Sequence, residues 1–308
     1  MNTTTYEELI VRPFQQSDLP LLGELYENIM QCEDTVFWWV GEPANWSNVY
    51  GAFANGKMLA KGQVDIVSTI TSGFVSEHYH AIYLNLKTVV ECQSHDELLN
   101  PLYLSLLARA KQLKATLPTT YPTMLCIGNY ATETENNAFF QNKQYRYLNS
   151  QFHMIHHFVS PLPDVLLPEE LEFQHWSIST LSEQQQYLEI DKSIWPEAPI
   201  GLEQLNENQQ QPLWTSMVVR HQGQPIGGLM VWKEDDEGVI EDVWVHPNWR
   251  KRGIARYLLT QALHYIQHHH LSAATLTVLT NNTNALSLYQ SAGFEIEKEE
   301  VRYGILLD

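Results

Sequence analysis

The sequence is poor in positive charge. Its 308 residues carry 18 Lys and Arg against 36 Asp and Glu, a formal net charge of −18. That balance argues against nucleic acid or an anionic membrane as the main partner, because both require clustered cations. It leaves cationic small molecules as fitting partners. No apolar run approaches the ~18 residues a membrane helix needs. The first eleven residues hold two Glu and no basic residue ahead of an apolar run, so the expectation is a cytoplasmic protein with neither a span nor a secretory leader. The 3 cysteines, Cys32, Cys92 and Cys126, all fall in the first half; an odd number so widely spaced suits reduced thiols and not a disulfide framework. No CxxC pair points to zinc. Neither GxxxxGK[ST] nor GxGxxG occurs, which excludes nucleotide loops of those kinds.

With 44% apolar and 18% charged residues the chain can bury a core, and at ~150 residues per domain it has room for two. A stretch with Pro161, Pro163 and Pro168 disfavours both helix and central strand, so 161–170 reads as a linker between domains 1–160 and 171–308. Similar elements recur on each side. In the first half, strand-like segments at 57–70 and 81–90 precede an amphipathic helix at 98–115, a strand at 124–128, a short helix at 136–143 and a strand at 146–159. In the second, strands at 214–220, 225–232 and 239–245 precede a helix at 254–268, a strand at 274–279, a short helix at 284–292 and a strand at 296–307. This is a duplicated architecture with little residue identity. It predicts an α+β fold of two domains of one kind, each a mixed, mostly antiparallel sheet flanked by helices.

Basic residues are few but not scattered. Arg250, Lys251, Arg252 and Arg256 sit within one short loop and the helix that follows. A strand ends at Val245, Pro247 blocks its continuation, and the basic loop opens directly into a helix with apolar face Ile254, Leu258, Leu259 and Ala262. Backbone N–H groups of such a loop and of a helix's first turn lack partners, and that geometry favours phosphate or pyrophosphate. Gly253 suits main chain that must approach a ligand closely, and Ala255 keeps the next approach small.

Arg250-Lys-Arg-Gly253-Ile-Ala255 fits [RQ]xxGx[GA], and Asn282-Thr-Asn-Ala285-Leu-Ser-Leu288-Tyr289-Gln-Ser-Ala-Gly293-Phe294 has the form NxxAxxLYxxxGF. In these two motifs the sequence resembles the GNAT superfamily of acyl-CoA-dependent N-acetyltransferases. The likeness is close over 239–295 and extends through element order to 171–308. With two such halves, the chain is similar to tandem GNAT enzymes of the mycothiol-synthase kind. The resemblance implies acetyl-CoA as the cofactor. Its pyrophosphate would lie on Arg250, Lys251, Arg252, Gly253, Ile254 and Ala255, and its pantetheine on the backbone of Val243 and Val245. Asn282 would help position it, a backbone N–H near Val243 would serve the developing oxyanion, and Tyr289 would be the general acid that protonates the departing thiolate.

The implied reaction is direct attack by a primary amine on the thioester. Strand alternation sends Glu241 and Asp242 to opposite faces; Glu241, on the face of Val243 and Val245, is the preferred base, with Asp242 or water as alternatives. The acceptor, cationic in such acidic surroundings, is left open among small amines, aminoglycoside-like compounds, amino-sugar thiol precursors and peptide N-termini. The rival reading is a non-catalytic acyl-CoA sensor or interaction protein. The first half lacks the equipment: Val90-Glu-Cys aligns with Val245-His-Pro, which sets Asp96, Glu97 and Leu98 against the basic loop, and Phe140, Glu133 and Gln144 align with Tyr289, Asn282 and Gly293. A degenerate domain is expected there. His268-His-His270 points three ways from a helix and is expected to end it, not to bind metal; Trp38, Trp39, Trp46, Trp195 and Trp244 are expected mainly to pack.

Overall fold

The computed structural model describes residues 9–32, 34–68, 79–89, 92, 96–196 and 199–308. His95 and the Val90-Glu91 pair of the alignment above lie outside them. In chain order the elements are β1 (Ile10–Pro13), α1 (Leu19–Cys32), β2 (Val49–Ala54), β3 (Lys57–Ser68), β4 (His80–Thr88), α2 (Asp96–Lys114), β5 (Thr123–Tyr130), α3 (Thr134–Asn142) and β6 (Arg146–His157). The second half supplies β7 (Glu172–His175), α4 (Leu181–Ile194), α5 (Gly201–Gln209), β8 (Thr215–His221), β9 (Gln224–Glu234), β10 (Glu237–Val245), α6 (Ile254–His268), β11 (Ala273–Leu279), α7 (Thr283–Ser291) and β12 (Glu295–Leu306).

The chain divides into two compact units, but not at the prolines. One comprises 1–150 with 299–308; the other comprises 151–298. The first unit has strand order β1-β2-β3-β4-β5-β12, where Glu300–Leu306 of β12 runs antiparallel to β5. The second has order β6-β11-β10-β9-β8-β7, with Gln151–His157 of β6 antiparallel to β11. Each unit therefore closes with the final strand of the other half of the sequence. Residues 158–171 contain no helix or strand, as their prolines require. They belong inside the second unit, where Leu162 and Leu167 pack against its core.

In each unit one long helix fills one sheet face. Leu98, Leu102 and Leu106 of α2 are fully buried with Leu125 and Ile127 of β5. In the second unit Leu258, Leu259, Ala262, Leu263 and Ile266 of α6 pack on Met217, Val219, Leu229, Val231 and Ile240. The helix lies so close that a Cβ on Gly238 would come within 2.4 Å of Ile266. The opposite face of that sheet is covered by α4 and α5, through Tyr187 and Leu205 on Val218 and Met230.

Two elements are absent from the sequence reading. β2 is buried on both sides, so it shows no alternation. α5 buries only Leu205 and thus carries no apolar stripe.

Candidate functional site

β10 is the strand on which the site is built. It pairs antiparallel with β9 along its length but meets β11, in parallel, only at Glu237, Gly238 and Val239. From Ile240 onward its other edge is unpaired, while β11 continues to Leu279 against β6. The result is an open wedge whose β10 side offers unpaired main chain around Val243, while the Val245 carbonyl accepts from Arg250.

At the end of β10, a short 3-10 turn (Pro247–Trp249) leads into the basic loop. Lys251 (φ +62°) and Gly253 (φ +81°) are both left-handed, and Gly253 is the residue immediately before α6. That turn of the chain leaves the N–H groups of Lys251, Arg252 and Gly253 without a backbone acceptor among the described residues. Those of Ile254 and Ala255, in the helix's first turn, have none within the helix. A Cβ on Gly253 would meet no protein atom within 4 Å, so φ, not protein crowding, selects glycine here and the space before it is open.

Arg250, Lys251, Arg252 and Arg256 are exposed, and none forms an ion pair among the described residues, although acids outnumber bases two to one in this chain. Local contacts hold two of them. Arg250 Nε donates to the Val245 carbonyl at 3.1 Å. The Arg252 guanidinium lies 4.6 Å from the Trp249 ring centre, and Trp249 in turn stacks on His221. The loop is thus a cluster of cations and N–H donors facing open space, a fit for a diphosphate.

The acidic residues of β10 are arranged differently from simple alternation. One extra residue lies between the Glu241–Met230 and Trp244–Gly228 pairs, a β-bulge, and Asp242 within it has φ +53°. Ile240, Val243 and Val245 consequently all face α6, whereas Glu241, opposite Met230, lies on the α4 face. Glu241 therefore does not share a face with Val243 and Val245 as alternation predicts. Asp242 is on its side: its Oδ2 accepts from the Tyr187 hydroxyl and its Oδ1 from Trp195 Nε1 at 2.7 Å. Burial pushes the Asp242 carboxyl up to about 6, with Tyr187 and Trp195 opposing the shift and the charges of Asp191 and Glu241 adding to it. Glu241 is exposed, and desolvation raises its carboxyl too.

Tyr289 joins this group from α7. It is 7% exposed and packs on Phe294, and no described residue hydrogen-bonds its hydroxyl. Burial, followed by the negative charges of Glu241 and Asp242, raises it to about 12. Asn282 precedes α7, and its side chain accepts from the Ala285 N–H at 3.2 Å, so it caps the helix. Sequence reasoning missed Tyr187 and Asp191 of α4, and counted Trp195 among packing residues. No motif marks them; their role arises from α4 lying across the β10 bulge.

The first unit shows the same wedge closed by its own side chains. β4 pairs with β5 only from His80 to Tyr83. Beyond it, Lys87 Nζ reaches Asn129 Oδ1 at 2.9 Å and the Glu133 carboxylate, while Asn136 Nδ2 caps the Leu86 carbonyl at 3.0 Å. Glu133 has nearly the backbone torsions of Asn282 (φ −76°, ψ 59° against −85°, 68°) but points inward, accepting also from Tyr130 N at 2.8 Å. What space is left, next to Lys87 and Glu133, is a cavity of about 30 Å³, enough for a water and far too small for a pantetheine arm. α2 begins with Asp96 and Glu97 in place of cations.

Removing one partner of such a buried pair costs roughly 3–5 kcal/mol. Lys87→Ala is accordingly expected to lower the unfolding free energy by about that much in urea melts, with coenzyme A affinity unchanged. A loss below about 1 kcal/mol would contradict the structural role.

Elsewhere, α6 ends at His268, and His269 Nδ1 bonds the Tyr265 carbonyl at 2.9 Å. Among the described residues no group of three His, Cys, Asp or Glu could hold a metal, and no helix is long and apolar enough to cross a membrane. Cys92 and Cys126 are buried.

Comparison with known proteins agrees with this geometry. Residues 177–294 match the acetyltransferase (GNAT) family. The chain is 33% identical over 82 residues to the mycothiol acetyltransferase of Thermobifida fusca and 37% identical over 65 residues to that of Acidimicrobium ferrooxidans. Those stretches are 27% and 21% of this chain and span only 22% and 21% of the relatives' own lengths. Among solved structures, a GCN5-related N-acetyltransferase from Sphaerobacter thermophilus superposes with a TM-score of 0.77 at 17% identity, covering 98% of this chain and 97% of that one. A tandem GNAT protein from the clavulanic acid biosynthesis pathway gives 0.69 at 11% identity, covering 98% and 99%. Residues 177–294 are therefore similar to the acetyltransferase (GNAT) family, and the chain has the tandem GNAT fold.

Proposed function

We propose that the second unit catalyses transfer of an acetyl group from acetyl-CoA to a primary amine, and that the first is a degenerate domain. The observation that carries this reading is the loop at 250–256, with four cations lacking acidic partners beside an unpaired strand edge. Residues 250–255 would hold the diphosphate, the open edge of β10 at Val243 and Val245 the pantetheine arm, as an added strand would be held, and Asn282 would flank its sulfur end. Acetyl-CoA, when bound, supplies an activated acyl thioester.

The chain's own groups do the rest. Glu241 and Asp242 attract an ammonium and can take its proton, Glu241 being the more open of the two. Tyr289 keeps its proton throughout the neutral range, the state a general acid needs. Giving that proton to a thiolate of ordinary pKa about 8.5 is uphill by roughly 3–4 units, about 5 kcal/mol. That cost is affordable within the ~16 kcal/mol barrier of an enzyme turning over at ~10 s⁻¹. The acceptor is a cationic small molecule or peptide amine, and the odd number and wide spacing of the three cysteines lead us to assign the reaction to the cytoplasm.

Release of coenzyme A thiol, measured over a panel of a diamine, an amino sugar, an arylalkylamine and a peptide N-terminus, tests the reading. Turnover with at least one is expected; none, with acetyl-CoA bound, would overturn it. The pH profile adds a second reading of the same assay. A carboxyl raised to about 6 is charged above that pH and neutral below it. Turnover should therefore fall about tenfold per pH unit below 6. A limb near pH 4, where ordinary carboxyls titrate, would contradict the assigned role of the acidic pair.

A further inference from the structure

Asp242 is the odd residue of the catalytic strand. A non-glycine residue in the left-handed region is uncommon, Asp being among those that tolerate it best, and here it stands inside a strand, between the proposed base and Val243. Something must hold it there. Both of its oxygens are engaged by α4 and the residue that follows it: Tyr187, 1% exposed, gives its hydroxyl to Oδ2, and Trp195, at the end of α4, gives its indole N–H to Oδ1. Hydrogen bonds to a charged group are stronger than neutral ones, and two of them act against the strain.

The clamp is itself anchored. The Trp195 N–H bonds the Asp191 carbonyl at 2.7 Å, and Asp191, 2% exposed, accepts from the Ile200 N–H at 2.9 Å. A tyrosine buried for packing alone would do as well as phenylalanine; here the hydroxyl is spent on the bulge.

We propose that Tyr187 and Trp195 are positioning residues: by gripping both oxygens of Asp242 they hold the left-handed kink that sets Val243 and Val245 on the α6 face, opposite Glu241, along the edge where β10 has parted from β11. The kinetic consequence rests on the acetyl-transfer reading; the conformational one does not. Without the grip, the segment 240–245 loses its fixed bend, the reacting groups drift by an ångström or so, and turnover falls by one to two orders of magnitude. The cation loop at 250–256 lies beyond the kink and keeps its hold on the diphosphate.

The test uses the full chain with Tyr187→Phe, Trp195→Phe and the double variant, each checked for an intact melt. In the double variant, hydrogen exchange of backbone amides at 240–245 should quicken at least tenfold while α6 is unchanged. With an acceptor identified in the amine panel, kcat should fall at least tenfold and by a clearly larger factor than coenzyme A affinity, since 240–245 also carries the main chain proposed for the pantetheine arm. Asp242→Gly, which adopts the kink without strain, should retain several-fold more turnover than Asp242→Ala. Unchanged exchange at 240–245 in the double variant would overturn the proposal, whether or not any amine is turned over. So would an Ala variant as active as the Gly variant, or loss of coenzyme A affinity matching the loss of kcat. Absence of turnover in the wild-type protein, with the exchange result as expected, would sink only the acetyl-transfer reading.

Discussion

Gly253→Glu should abolish coenzyme A binding, weakening it at least 100-fold in calorimetry, about 2.7 kcal/mol. Three effects act together. The residue has φ +81° and nothing near its Cβ, so a new side chain projects into the open space in front of α6 and not into protein. Its carboxylate would stand among N–H groups and cations that a diphosphate needs, satisfying them internally and repelling the ligand. The left-handed conformation adds roughly 1–2 kcal/mol of strain, which for a unit of this size lowers Tm by only a few degrees. Gly253→Ala separates these effects. It carries the strain without the charge or the reach, and should lower Tm similarly while keeping affinity within about tenfold. Equal loss of affinity in both variants would point to collapse of the loop, not to a blocked site.

The second large effect is expected at Tyr289. Its hydroxyl is buried in α7, has no protein partner among the described residues, and is held protonated by its surroundings. Tyr289→Phe removes one oxygen that makes no internal bond, so stability should change by less than about 1 kcal/mol. A lost general acid costs about 10²–10⁴-fold in rate. Turnover should fall within that range while coenzyme A affinity moves less than threefold. Wild-type turnover in the variant would remove the acid assignment, and a parallel loss of affinity would recast Tyr289 as part of the binding wall.

Where the sequence was legible, it was so for stated physical reasons. The helix at 254–268 has a continuous apolar face and an abrupt start at Gly253, and the structure gives it the same bounds. The loop before it is legible because cations are rare in this chain. The exchange of final strands was not legible. β6 (Arg146–His157) and β12 (Glu295–Leu306) are each 12 residues long and stand at the same place in each half, so nothing in either one states which sheet receives it. Nor was the bulge at Asp242, since a single left-handed residue in Val239-Ile-Glu-Asp-Val-Trp-Val leaves composition and period unmarked. That one residue puts Val243 and Val245 on the face opposite Glu241, and its partners Tyr187 and Trp195 lie 55 and 47 positions away. Glu133 was read only as a missing asparagine. Its burial against Lys87 turns the absence into a plug.

The central claim is that the main chain and cations of residues 250–255 bind the diphosphate of coenzyme A. A crystal structure of the protein with coenzyme A tests it most directly. The account predicts the diphosphate on the N–H groups of 251–255 before α6, with the pantetheine arm along the open edge of β10. Coenzyme A held instead at the β4–β5 wedge of the first unit, or a bare 250–255 loop at saturating ligand, would contradict it.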